Sequence, residues 1–226
     1  MVKISFITPC FNEENNVNNT INEIFKTCKI CSIKNFELII IDDGSSDNTF
    51  QKIIKNKKII KLKHENNLGI GAAYKTGLKK SKGDYIMLIP GDNSHPVSSI
   101  KPLIMNIGKS DIIIPFTTKK GKRSIPRLIL SKVFTFFLNY FFNLNIKYFN
   151  GTVIHKKSNL IDLEIESSGF DYQAEILIKL LQKGYSYKEV EVIVNERVEG
   201  SSNAVSISNG LKIIKNLIKL RKIIKK

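Results

Sequence analysis

The chain has 226 residues, 42% of them hydrophobic, with three cysteines and 36 Lys and Arg against 20 Asp and Glu, a formal net charge of +16. That length suits one well-buried α/β domain, and no Gly-, Ser- or Pro-rich linker and no internal repeat divides it. Three cysteines are too few for a disulfide framework, Cys28-x-x-Cys31 has no second pair or histidine at zinc spacing, and no signal-type apolar stretch opens the chain, so a reducing cytoplasmic setting is expected.

The opening KISFITPCFNEENN predicts a strand over 3–8 that ends at Pro9, with Asn12, Glu13 and Glu14 at the start of the next helix. The continuous apolar run over 36–41 has the pattern of a strand buried on both faces, as in a parallel sheet. It puts Asp42 and Asp43 at the strand's carboxyl end, the edge at which open α/β sheets bind ligands. Gly44 permits the turn there, and Ser46 or Asp47 can cap the following helix. The two carboxylates can accept hydrogen bonds from a base or a ribose, or serve only as a cap. Gly69 and Gly71 then open a turn that continues as a helix over about 72–81; Gly83 turns the chain into a strand over 85–89, and a polar loop carries Asp92. Three strands thus deliver Pro9 and Glu13, Asp43, and Asp92 to one edge of one sheet.

The second half predicts a helix over 127–146, on which Arg127, Ser131, Thr135, Asn139 and Asn143 recur every four residues as a polar stripe. Its Phe-rich remainder has more apolar face than a single surface helix needs, yet it falls short of the roughly 20 apolar residues that span a bilayer. Such a helix lies in a membrane interface, pairs with a second subunit as a homo-oligomer, or is buried in the core. A strand over 152–156, a helix over 170–183 and a strand over 185–194 follow, and Asp171 and Glu175, four apart, share a helix face. Residues 209–226, set apart from a domain over 1–208, alternate Ile and Leu with lysines at helical spacing and contain no acidic residue. This is the pattern of a basic amphipathic helix in a membrane interface, the alternative being a terminal helix packed on its own domain. The basic excess therefore points to phosphorylated substrates and an anionic membrane surface; no nucleic-acid motif occurs, and the aromatics do not interleave with basic residues as a stacking platform requires. His64, His95 and His155 lie on separate segments without metal-ligand spacing; His95, in the Asp92 loop, can contact phosphate, and the other two read as structural.

Taken in order, these motifs resemble family 2 glycosyltransferases of the GT-A fold, and within them the dolichyl- or polyprenyl-phosphate sugar transferases. Pro9-Cys10-Phe11-Asn12-Glu13 matches P-x-[YF]-N-E, Asp42-Asp43-Gly44-Ser45-Ser46-Asp47 matches DDGS-x-D, and Asn67-Leu68-Gly69-Ile70-Gly71-Ala72-Ala73 matches the glycine segment. Arg127 and Ser131 fit an R-x-x-x-S pair, and Arg197-Val198-Glu199-Gly200-Ser201-Ser202 fits R-x-x-G-x-S, so the resemblance covers about residues 2–202.

The resemblance implies a Rossmann-like, mostly parallel sheet flanked by helices, with amphipathic helices in the C-terminal half. It implies inverting transfer from a UDP- or GDP-sugar to a polyprenyl phosphate at the cytoplasmic membrane face, by a protein peripheral to that face. The alternative acceptor is a hydroxyl of a cell-surface polysaccharide or glycolipid precursor. Pro9, Phe11, Glu13, Ile41, Asp43, Gly71, Gly91, Ser131 and Arg197 are implied at the donor and its phosphates, Arg127 beside the reacting phosphates, and Asp171 as the base where the acceptor is a hydroxyl. Asp92 is implied as the ligand of Mg²⁺ or Mn²⁺. The family's D-x-D reads Pro90-Gly91-Asp92 here, with its first carboxylate replaced by proline. One carboxylate can suffice, because a hard cation completes its shell with phosphates and water, and Asn93 and Ser94 lie next to it. The incomplete motif and the charge leave a rival from another class, a catalytically inactive basic module that binds nucleotide or membrane.

Overall fold

A computed structural model of the chain describes residues 2–118, 125–194 and Arg221, with the main chain alone at 125–128. Arg197 and the rest of the 209–226 tail lie outside the described residues. So does the side chain of Arg127.

The chain order is β1 (Ile4–Cys10), α1 (Val17–Ile30), β2 (Phe36–Asp42), α2 (Thr49–Lys52), β3 (Ile59–Lys63), α3 (Ile70–Lys80), β4 (Tyr85–Leu88), α4 (Val97–Ile104), β5 (Ile112–Phe116), α5 (Ile125–Phe142), β6 (Ile154–Lys156), α6 (Tyr172–Gln182) and β7 (Tyr187–Glu191). The strands form one sheet in the order β3-β2-β1-β4-β6-β5-β7. β1 runs parallel to β2 and β4, β2 to β3, and β5 to β7, while β6 is antiparallel to both its neighbours. The expected mostly parallel α/β sheet is therefore present, and the carboxyl ends of β1 to β5 share one edge.

The alternation of side chains along β2 builds the two sides of the core. Ile39 and Ile41 pack with α3, α5 and α6 through Ala73, Tyr74, Leu138, Phe142 and Leu177. Leu38 and Ile40 pack with α1 and α4 through Ile21, Ile24, Ile100 and Leu103. Both faces of β2 are covered, which is why its sequence reads as an unbroken apolar run.

Two elements depart from the sequence pattern. β3 was not expected, because its IIKLK stretch is a half-exposed edge strand in which lysines interrupt the apolar signal. α4 was not expected because Pro102 lies inside it and reads as a helix breaker. α5 ends at Phe142, not 146: Asn143 adopts a left-handed φ of 50° and the Leu144 N–H closes back on the Asn139 carbonyl.

His155 lies on β6 in the middle of the sheet, 1% exposed, where Gln173 Nε2 donates to its Nε2 at 3.0 Å. Burial pushes its pKa down from 6.5 to about 3, so the ring is neutral in the fold and takes up a proton on unfolding. The resulting stability is complete above the unfolded value and is lost as pH falls from about 6.5 toward 3. By linkage, about 2 kcal/mol should go between pH 7 and pH 5. Urea denaturation at the two pH values should show this loss, and His155→Gln should flatten that part of the slope.

Candidate active site

The last residue of β2 and the one after it divide their work between core and edge. Asp42 turns inward and is fully buried; its Oδ1 accepts the Ser45 N–H at 2.9 Å, tightening the turn at Gly44, and its Oδ2 lies 3.7 Å from the Lys63 ammonium. Asp43, 3% exposed, meets three donors. Its Oδ1 accepts the Nδ1–H of His64 at 2.7 Å and the main-chain N–H of Leu68 at 3.0 Å, and its Oδ2 accepts the N–H of Gly69 at 2.8 Å. The other ring nitrogen, Nε2, lies in hydrogen-bond contact with the Thr76 hydroxyl of α3 at 3.0 Å. Leu68 and Gly69 immediately precede α3, so the carboxylate also lies at the positive end of that helix.

The loop after β1 is laced to the loop after β2. Asn12, at a left-handed φ of 55°, donates its N–H to Ser45 Oγ and accepts the Ser46 N–H on its side-chain oxygen, both at 2.9 Å. Glu13 donates its N–H to Thr49 Oγ1 at 2.8 Å, and its Oε2 accepts from Asn16 Nδ2 at 2.9 Å. Glu14 donates its N–H to Asp47 Oδ2, while Asp47 Oδ1 accepts the N–H of Thr49 at the start of α2. Beside this lacing the Phe11 ring is 38% exposed, whereas Glu13 is 5% exposed. Ile41 brings only its main chain to the edge, because its side chain is buried in the core.

The β4 loop joins the same edge through Gly91, whose N–H donates to the Pro9 carbonyl at 3.0 Å. Asp92 Oδ1 accepts both the N–H and the hydroxyl of Ser94, at 3.1 and 2.6 Å, and His95 Nδ1 lies 2.9 Å from that hydroxyl. Asn93 adopts φ 56° and leaves its buried side-chain oxygen without a partner among the described residues. Among the described residues no three His, Cys, Asp or Glu side chains converge as a metal cage. A single carboxylate with amide and hydroxyl oxygens beside it fits a hard cation that takes its other ligands from a diphosphate and water.

The segment between β6 and α6 docks on the amino end of α3. Gly71 donates its N–H to the Ser168 carbonyl at 2.9 Å, and the Lys75 ammonium donates to the carbonyls of Ile165 and Glu166 and to Ser168 Oγ. A Cβ on Gly71 would lie 2.8 Å from the Ser168 carbonyl carbon and 2.9 Å from the Tyr172 Cβ, so only glycine allows this approach. Glu175 accepts the N–H groups of Glu166 and Ser167 on its two oxygens and the Lys179 ammonium at 2.6 Å. Asp171 Oδ1 accepts the Ser167 hydroxyl at 2.5 Å. The two carboxylates do share a face of α6, and Glu175 is committed to holding the loop. Sequence reasoning passed over Ser167, Ser168 and the His64–Thr76 pair, which carry no motif.

α5 inverts the usual surface helix. Its polar residues Ser131, Thr135 and Asn139 are half-buried, and Asn139 bonds both the N–H and the carbonyl of Ile146. Leu138 and Phe142 enter the core, while Ile129, Leu130, Val133, Phe136, Phe137, Tyr140 and Phe141 stand in solvent, Phe136 and Tyr140 at 66% and 75% exposure.

Comparisons agree with this architecture. The sequence profile of Glycosyl transferase family 2 matches residues 5–170. The poly(ribitol-phosphate) beta-N-acetylglucosaminyltransferase of Staphylococcus aureus is 31% identical over 93% of this chain and 68% of its own length. The undecaprenyl-phosphate 4-deoxy-4-formamido-L-arabinose transferase of Proteus mirabilis is 29% identical over 45% of this chain and 32% of its own. Among solved structures, glucosyl-3-phosphoglycerate synthase from Mycobacterium tuberculosis in complex with Mn²⁺, UDP-glucose and phosphoglyceric acid superposes with a TM-score of 0.74 at 18% identity, over 98% of this chain and 80% of that one. The same enzyme has also been solved with Mg²⁺ and UDP.

Replacing Gly71 by valine forces the 165–169 loop off α3. The change should destabilise the fold by about 1–3 kcal/mol, read as a lower urea midpoint. A midpoint equal to the parent's would show that the loop does not depend on this contact.

Proposed function

The chain belongs to glycosyl transferase family 2, and from that premise we propose that it transfers a sugar, with inversion, from a nucleoside diphosphate donor to the phosphate of a polyprenyl carrier at a membrane surface. That it is a glycosyltransferase using a nucleotide sugar follows from the family; the acceptor and the residue roles are our reading. The observation that carries the acceptor is the inverted exposure of α5, whose seven exposed apolar side chains form a surface suited to a lipid interface. No helix among the described residues is long and apolar enough to cross a membrane. Arg221 holds its guanidinium 4.9 Å from the centre of the Phe141 ring on α5. In this reading residues 1–208 form the transferase domain and 209–226 a basic amphipathic anchor.

At the donor edge Asp43 accepts a hydrogen bond from the base, the exposed Phe11 ring covers it, and Glu13, Pro9 and the main chain at Ile41 border the nucleoside. Gly71 and Gly91 admit the diphosphate close to the backbone. Asp92, with the oxygens of its loop, would hold Mg²⁺ or Mn²⁺, which supplies charge neutralisation for the departing diphosphate. Arg127, Ser131 and Arg197 are assigned to the reacting phosphates, for which an arginine fork is the better cation. An oxygen of the acceptor phosphate attacks the anomeric carbon, the bond from that carbon to the diphosphate oxygen breaks, and the electron pair leaves with the nucleoside diphosphate. The attacking oxygen is already anionic, so no protein base takes part.

One finding favours a second acceptor. The relative matched over 93% of this chain is named for a poly(ribitol-phosphate) acceptor, and the undecaprenyl-phosphate relative matches over 45%. A hydroxyl acceptor must lose a proton, and Asp171, held by Ser167, is the carboxylate for that task. Asp171→Asn separates the two readings, because the amide keeps an oxygen for the Ser167 hydroxyl but cannot take a proton. With undecaprenyl phosphate as acceptor, turnover should stay within a few-fold of the parent. A parent that turns over only a hydroxyl acceptor such as poly(ribitol phosphate), with Asp171→Asn losing about 10²–10⁴-fold on it, would assign the hydroxyl acceptor instead. Asp92→Asn should remove metal-stimulated transfer, and undiminished turnover of the parent in excess chelator would overturn the metal assignment.

The anchor has its own test. Deleting residues 210–226 should weaken binding to anionic liposomes while leaving nucleotide affinity in place. Each lysine near such a surface contributes about 1 kcal/mol, screened by salt, whereas the apolar face of α5 adds a component that salt does not remove. Equal liposome binding by full-length and shortened chains would make the tail a packing helix.

A further inference from the structure

We infer that His64 sets the base selectivity of the donor site, filling one oxygen of Asp43 so that the carboxylate accepts from uracil in preference to guanine. The inference rests on the donor-site reading above and deepens it. A carboxylate offers two acceptor directions on each oxygen. On Asp43, among the described residues, Oδ1 already receives His64 Nδ1–H and Leu68 N–H, while Oδ2 receives Gly69 N–H alone. One direction remains, on Oδ2.

Guanine presents N1–H and N2–H side by side and pairs with a carboxylate that has an open direction on each oxygen. Against this Asp43 it would keep one donor unpaired in a nearly closed site, or displace the histidine. Uracil presents the single N3–H and needs only the direction that is open. An unpaired buried donor costs enough to separate the two bases by about tenfold or more.

Of the three donors, two are main-chain N–H groups fixed by the turn into α3, so His64 is the one whose identity the sequence can vary. It is held from behind by the Thr76 hydroxyl, and its side chain is only 11% exposed, so it cannot swing away to make room for a second base donor at little cost. The register of β2 with β3 explains its position: Asp42 pairs with Lys63, so the next residues, Asp43 and His64, leave the sheet side by side.

Calorimetry of UDP and GDP binding to the full-length chain, with Mn²⁺ present, tests this. The parent should bind UDP at least tenfold more tightly than GDP. His64→Leu removes the donor and reopens Oδ1, so the ratio should narrow to within about threefold. His64→Asn, whose amide Nδ2–H can take the place of the ring Nδ1–H, should keep the parent ratio. A histidine with a purely structural role would weaken both nucleotides together and leave the ratio unchanged. That result with His64→Leu would overturn the inference, as would a parent that binds GDP as tightly as UDP, which needs no variant to fold. Binding of neither nucleotide would overturn the donor-site reading itself, and the inference with it.

Discussion

The carboxylate of Asp43 is the constraint on which the site depends. It closes the carboxyl end of β2, takes the first donors of the turn into α3, and holds the histidine that follows β3. Three elements distant in sequence are thereby fixed at one point of the sheet edge. Its partners are hydrogen-bond donors in a nearly closed environment, where an ionised acceptor makes stronger bonds than a neutral one. An alanine at this position would leave three donors without their acceptor and release the turn, so loss of nucleotide binding on its removal would report lost architecture as well as a lost contact.

The pairing of the first two motifs has a similar origin. β1 and β2 are adjacent and in register, Cys10 opposite Asp42, so the loops that follow them start side by side. Short polar side chains then bond across: Asn12 to Ser45 and Ser46, the Glu13 N–H to Thr49, the Glu14 N–H to Asp47. Much of what reads in the sequence as a binding signature is thus the bonding that holds two loops together. Under the proposed function, the side chains of this edge that meet the donor directly are fewer than the motif residues, and the exposed ring of Phe11, Asp43 and the loop at Asp92 are chief among them.

Legibility followed burial. β2 could be read because both its faces are covered and its sequence shows no alternation, and that one strand located Asp43. β3 could not be read, because an edge strand with lysines between its isoleucines has no distinct period, and with β3 went the reason for His64. A histidine after an unrecognised strand carries no signal; its meaning comes from strand register, a long-range property. The fixing of Glu175 by the main chain at 166 and 167 is hidden for the same reason, since spacing shows that Asp171 and Glu175 share a face but not what lies against it. α5 shows the opposite limit. Its amphipathic period was plain, but period cannot say which stripe faces the protein.

The edge proposed for the donor is built from parallel strands covered on both sides, and its geometry is set by hydrogen bonds that leave little freedom. Beyond β5, which ends at the same edge, α5 turns Ser131, Thr135 and Asn139 toward the body and its aromatic side outward, and under the proposed function this is the acceptor side. In water that arrangement forfeits the hydrophobic stabilisation of seven large side chains, so it persists because the inward polar residues are tied down, as Asn139 is to Ile146, and because Leu138 and Phe142 anchor the helix in the core. A bilayer surface would recover what water does not, and the strong positive charge of the chain would draw the protein to an anionic one before any apolar contact forms. Under the proposed function these two forces act in sequence: charge brings the enzyme to the surface, and the aromatic face then sets the depth at which the donor edge meets a phosphate carried by the lipid.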